Sequence, residues 1–94
     1  MNDREKHHYC TNKFIKLANE LRKEDIAPSV VSAALMTASS VYATYSAAGN
    51  NGVLQESGVE KVMAVYRRTL EEHQAVKKAQ LLEKEKEQKK DQKA

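Results

Sequence analysis

Residues 28–48 read PSVVSAALMTASSVYATYSAA, and the reading of this stretch decides the fold. It holds no charged residue, in a chain that is 31% charged overall. Ala is the best helix former, and Ser and Thr tolerate a helix, so the stretch reads as helix despite several β-branched positions. Val31, Ala34, Leu35, Ala38, Val41, Tyr42 and Tyr45 then share one stripe at the spacing of a core-facing helix. Ala33, Thr37, Ser40 and Thr44 run down another side, polar but never ionised. A lone surface helix shows water a charged face. This one predicts a central helix, contacted on most sides by its own chain or by a second copy.

The same stretch has roughly the length of a membrane span. However, seven of residues 29–48 are Ser or Thr, and only five are Val, Leu or Met. Insertion is driven by strongly apolar side chains, which are scarce here. The expectation is no membrane.

Working outward, Pro28 suits the first turn of a helix and disfavours helix in Ala27 before it. Upstream, Cys10, Phe14, Leu17, Ala18 and Leu21 mark one side of a helix predicted over 9–24, with Lys13, Lys16, Glu20 and Lys23 on the other. Lys16 and Glu20 have the spacing of a surface ion pair. Met1–His8 is polar and is expected to fray. Two helices joined this tightly are expected to pack antiparallel.

Downstream, Gly49-Asn50-Asn51-Gly52 is a strong breaker, since Gly and Asn accept the left-handed conformation that ends helices. A third helix is predicted over 57–80. Ser57 and Glu60 have capping-box spacing, and Val59, Val62, Met63, Tyr66 and Leu70 form its apolar stripe. Arg67, Arg68, Glu71 and Glu72 are expected to face water. The stripe weakens past His73, and from Glu83 the chain is Lys, Glu, Gln and Asp almost throughout. Such a segment can be helical by propensity but has nothing to bury, so a fraying helical extension that passes into disorder is expected. The expected architecture is all-α: a small three-helix domain over 1–82 and a charged, disordered tail over 83–94.

Composition narrows the function classes. Ninety-four residues form one domain at most, and a core drawn mainly from Ala, Val, Leu and Met is thin, so oligomerisation is a common remedy. The single cysteine, Cys10, closes no internal disulfide, and the N-terminus MNDREKHHYC does not read as a secretory leader. A cytoplasmic setting is expected. The net charge of +3 sits in the tail: residues 1–76 balance nine basic against nine acidic residues, while residues 77–94 carry seven Lys against four acids.

With the helices placed, the sequence resembles a family of short, all-helical bacterial proteins of unknown function. The residues that carry the resemblance are Phe14-Ile15-x-Leu17-Ala18-Asn19-Glu20, then Val31-Ser32 with Leu35 and Ala38, then Tyr66-Arg67 with Leu70-Glu71-Glu72. It covers roughly residues 9–73, and the chain departs from the pattern after His73. It implies a helical fold and a bacterial cytoplasmic origin, and no activity.

Several side chains invite sharper readings. His7, His8 and Cys10 are good metal ligands, but zinc wants four ligands, and the paired Cys-x-x-Cys spacings are missing. No metal and no cofactor are expected. Cys10 as a nucleophile needs a base, and His7 lies one turn before it if the helix reaches that far, but Cys10 is read as a small core residue at the head of the first helix. Gly-rich phosphate loops and nucleophile elbows are absent, and the chain is not read as an enzyme.

Asn19, Glu20 and Ser32 are the candidate polar contacts. Asn19 is read as reaching the Ser32 hydroxyl or the backbone of the Asp25–Pro28 turn, with ligand contact as the alternative. Tyr42, Tyr45 and Tyr66 are placed at the rim of the core, because a buried phenol wants a polar partner or a route to water. The Lys-rich tail alternates with acids and has no aromatic after Leu82 to stack on a base. The function expected is a non-catalytic, self-associating helical interaction module, a homodimer with Ala33, Met36, Ser40, Ala43 and Ala47 as candidate interface and room for a further, unidentified protein partner. A weak nucleic-acid accessory protein using the tail is the alternative.

Overall fold

A computed structural model of the chain describes residues 1–50 and 52–93. The fold is all-α, with three helices: α1 (Asp3–Arg22), α2 (Pro28–Ala48) and α3 (Glu56–Lys93). The chain divides into two units, Met1–Ser46 and Ala47–Ala94. The first holds α1 and nearly all of α2. The second holds the end of α2, the following loop and α3.

Helix α1 starts six residues earlier than expected. The Asn2 side-chain oxygen accepts from the Glu5 N–H at 2.8 Å, and the Glu5 carboxylate lies 3.5 Å from the Asn2 N–H, closing a capping box. Asp3 and Glu5 add negative charge where the helix dipole favours it. The polar N-terminus is therefore an ordered first turn rather than a frayed arm. At the other end, the Lys23 N–H donates to the Asn19 and Glu20 carbonyls, and the Glu24 N–H donates to Leu21. Asp25 then takes a positive φ of 62°, which Asp tolerates better than most residues, and the chain reverses.

Helix α2 has the expected bounds. The Ala27 carbonyl accepts from the Val30 and Val31 N–H groups, which leaves Pro28 at the first helical position. Gly49 stops the helix in the left-handed region, at φ 78°.

Within the first unit, Ala18 and Val31 are the buried residues, at 9% and 6% exposure, and Leu21 and Ile26 are half-buried. All four lie beside the turn, so that is where α1 and α2 approach most closely. The rest of the predicted inner stripe is exposed: Phe14 and Leu17 on α1, and Leu35, Tyr42 and Tyr45 on α2. One helix covers only a strip of its neighbour, and that cover ends a turn or two from the connection.

In the second unit, the loop leads to α3 through Leu54, which lies over Gly58. A Cβ on Gly58 would sit 3.2 Å from the Leu54 Cδ2. The Gln55 carbonyl accepts from the Gly58 and Val59 N–H groups, so α3 begins at Glu56. The Ser57–Glu60 capping box does not form. Ser57 already lies in the first turn, and Gln55 holds the capping position. Past residue 80, where the third helix is expected to end ahead of a disordered tail over 83–94, α3 continues to Lys93. Glu, Lys and Gln are strong helix formers, and Glu85 to Lys89 has the favourable i,i+4 direction, so propensity carries the helix where burial does not. The expected pair Lys16–Glu20 is replaced, among the described residues, by Arg67–Glu71, at 2.7 Å and well exposed. An exposed pair of this kind contributes well under about 1 kcal/mol.

Candidate interaction surface

The uncharged faces of α2 are built by its hydroxyls. Thr37 Oγ1 donates to the Ala33 carbonyl at 3.1 Å, Ser40 Oγ to Thr37 at 2.7 Å, and Thr44 Oγ1 to Ser40 at 2.9 Å. Each hydroxyl has turned its donor back onto its own helix, as mid-helix Ser and Thr do. A face that is polar by composition is thereby left without a donor that needs water. Of the candidate interface, Ala33, Met36, Ser40 and Ala47 are exposed and Ala43 is half-buried. All but three residues of α2, namely Val31, Ala43 and Thr44, are exposed.

The opposite face is apolar and was read from sequence as core. Here Leu35 is 40% exposed, Tyr45 52% and Tyr42 75%. The two tyrosine rings pack edge to face, with centroids 6.2 Å apart and planes at 63°. The relative length of the two apolar stripes marks the far end of this face, although exposure sets in earlier, at Leu35 and Phe14. From the approach at Ala18 and Val31, α1 offers apolar residues back to Tyr9, about 14 Å away at 1.5 Å per residue. On α2, Tyr42 and Tyr45 lie about 17 and 21 Å from the same point. They outrun their partner.

The remaining candidates stay apart. Asn19, Glu20 and Ser32 are exposed, and among the described residues their side chains form no hydrogen bond with one another or with the turn. It is the backbone carbonyls of Asn19 and Glu20 that the turn uses. His7, His8 and Cys10 are exposed on α1, and the Thr11 hydroxyl donates to the His7 carbonyl at 2.8 Å. Among the described residues, no three His, Cys, Asp or Glu side chains gather where a metal could bind. The Lys13 ammonium sits 5.3 Å from the Tyr9 ring centre, a contact that shields part of one aromatic face. On α3, Val59, Met63, Tyr66 and Leu70 form an exposed stripe with Val62 half-buried, and the shallow groove running from Val76 to Glu87 is lined by α3 alone. Among the described residues, no helix is long and apolar enough to cross a membrane.

A family model described as "Protein of unknown function (DUF3144)" covers residues 8–75, close to the span that carries the resemblance in the sequence and stopping before the Lys-rich end of α3. No curated protein and no solved structure matches the chain.

Proposed function

The chain belongs to a family of proteins of unknown function, DUF3144, and from its own surface we propose that it is a non-catalytic helical interaction module that associates with itself through α2. One observation carries this reading: a 21-residue helix with no ionised side chain is exposed at all but three positions. Soluble monomers rarely leave an apolar patch of more than a few hundred Å² open. The burial inside the first unit is also too small. Its buried residues are Ala18 and Val31, with Leu21, Ile26, Ala43 and Thr44 half-buried. More apolar surface must be covered from outside the unit. A helix uncharged around its whole circumference suits several apolar neighbours, and a second copy supplies them.

In this reading the homodimer seam lies along α2, with Ala33, Met36, Ser40, Ala43 and Ala47 among the positions available to it. The setting is cytoplasmic, in keeping with one free cysteine, Cys10. The lysines of α3 past residue 76 are interleaved with Glu and Asp, which favours a solvated helix over a nucleic-acid contact. Light scattering of the full chain at about 100 μM tests the proposal. A dimer mass supports it, and a monomer overturns it. Nucleic-acid binding whose affinity falls steeply with salt would move the reading to the accessory role.

A further inference from the structure

We propose that the end of α3 carries a docking face for an acidic helix of another protein, built from the row Lys78, Leu82, Lys86, Lys89 and Lys90. It goes beyond the homodimer and does not rest on the α2 seam.

In the sequence, the lysines past residue 76 alternate with acids and their charges read as mixed. The structure carries α3 on to Lys93, and a helix sorts residues by spacing rather than by order. At about 3.6 residues per turn, Lys78, Leu82, Lys86, Lys89 and Lys90 fall within an arc of about 120°. All four acids of residues 77–91 lie outside it. Glu83 and Glu85 border the arc on either side, and Glu87 and Asp91 lie beyond. Lys77 and Lys84 sit on the far side, among the acids. Interleaving therefore balances charge along the segment while leaving one third of its circumference basic.

The row is open: residues 78–90 are exposed throughout, and Leu82 is 50% exposed. Nor is it arranged for the sake of the helix itself. Lys78 has no acidic residue three or four positions away, and Lys86 has lysines at both i+3 and i+4. Like charges at these spacings oppose a helix instead of supporting it. A counter-charge from outside relieves both.

Three features select an acidic helix as the occupant. From Lys78 to Lys90 the row runs about 18 Å, with the width of the stripe that one helix presents to another. Leu82 stands in the row and offers an apolar contact that an aliphatic side chain of the partner can meet. The basic groups are all lysines, since no arginine follows Arg68 and no Phe, Tyr or Trp follows Tyr66. The guanidinium fork that grips phosphate and the rings that stack on bases are both missing from this face. Glu83 and Glu85 at its borders would also meet the broad phosphate surface of a duplex, while a single helix fits between them.

Fluorescence anisotropy with the full chain tests the face. The probe is a labelled helical peptide of about 20 residues with Glu along one side and Leu among them, and its control has the same composition with Glu spread around the helix. At about 20 mM salt the probe is expected to bind at least about tenfold more tightly than the control, and less tightly as salt rises to about 200 mM. A chain carrying Glu83→Lys, Lys86→Glu, Glu87→Lys and Lys90→Glu keeps its composition and net charge but breaks the row. It is expected to bind the probe at least about tenfold more weakly. Lys86→Gln with Lys90→Gln serves the same end should the exchange cost helical circular dichroism. Equal binding of the exchanged chain, or of probe and control, would show attraction to net charge alone. No binding of the probe at low salt would show that there is no site. Tighter binding of duplex DNA than of the probe, lost on the exchange, would give the face to nucleic acid. Each of these results overturns the inference. The dimer mass is read without any probe, so this inference and the homodimer can fail separately.

Discussion

Tyr42 and Tyr45 stand one turn apart on α2 with their rings edge to face at 6.2 Å, and both are more than half exposed. Aromatic pairs of this geometry gain about 0.5–1.5 kcal/mol beyond their area, and here that pairing holds apolar surface ready beyond the last apolar side chain that α1 offers. Tyr42→Ala removes that pair, so it should leave the helical circular dichroism of the chain intact and cost at most about 1.5 kcal/mol of stability. Association should suffer as well. The residue occurs twice across a two-fold seam, so even about 0.7 kcal/mol per copy weakens the dimer tenfold. Sedimentation equilibrium of the two proteins reads the ratio directly, and an unchanged dimer constant would take Tyr42 out of the seam.

The capping box of Asn2 and Glu5 carries a prediction about α1. Asn2→Ala removes the side-chain acceptor of the Glu5 N–H and should cost about 1 kcal/mol, within a range of 0.5–2. The loss is local, so it should show first as faster hydrogen exchange at Glu5 and Lys6, with the amides of α2 unaffected. Uniform protection across both variants would mean that the first turn is held by something other than the cap.

How much of this could be read in advance depends on what each feature needs. The bounds of α2 were legible because Pro28 and Gly49 are punctuation that acts through backbone conformation alone. The start of α1 was equally local, but its Asn2-x-x-Glu5 signal sits in a polar run with no apolar stripe to draw attention to it. Ser57 and Glu60 mislead for a related reason. The spacing is right, yet the chain begins its helical turn with the Gln55 carbonyl, which takes the Gly58 and Val59 N–H groups first. The far end of α3 was illegible as a boundary, because a Glu/Lys/Gln segment is helical by propensity and carries no stripe that stops. The candidate surface was half legible. A helical wheel shows that Leu35, Tyr42 and Tyr45 share a face, but whether the face is covered depends on how far along α2 the side chains of α1 reach. That is a property of two helices together.

The two loop glycines differ in kind, and their substitutions should differ in cost. Gly49 has a positive φ and open space around the position of a Cβ, so Gly49→Ala should cost only the backbone term of about 1 kcal/mol. At Gly52 a Cβ would meet the Ala48 carbonyl oxygen far inside contact distance. Gly52→Ala must displace the backbone, and the loss should exceed that of Gly49→Ala by at least about 1 kcal/mol. Urea midpoints of the two variants under one buffer give the order. Equal midpoints would mean that the loop relaxes freely around residue 52.

The last prediction concerns the end of α3. From Glu83 onward the helix carries no large apolar side chain, and its side chains are exposed through Asp91. Its order rests on intrinsic propensity and on surface pairs such as Glu85 to Lys89, each contributing about 0.2–0.5 kcal/mol. Nothing in that list couples it to burial elsewhere, so deleting residues 83–94 should leave the thermal midpoint within about 2 °C, well under 1 kcal/mol for a chain this size. The helical signal should fall only by the share of the residues removed. Salt separates the two contributions: raising ionic strength screens the surface pairs and should trim helicity in the full chain while barely touching the truncated one. A midpoint that drops by 10 °C on truncation would show that the basic end of α3 packs against apolar surface, and the candidate seam along α2 would then have a competitor from the same chain.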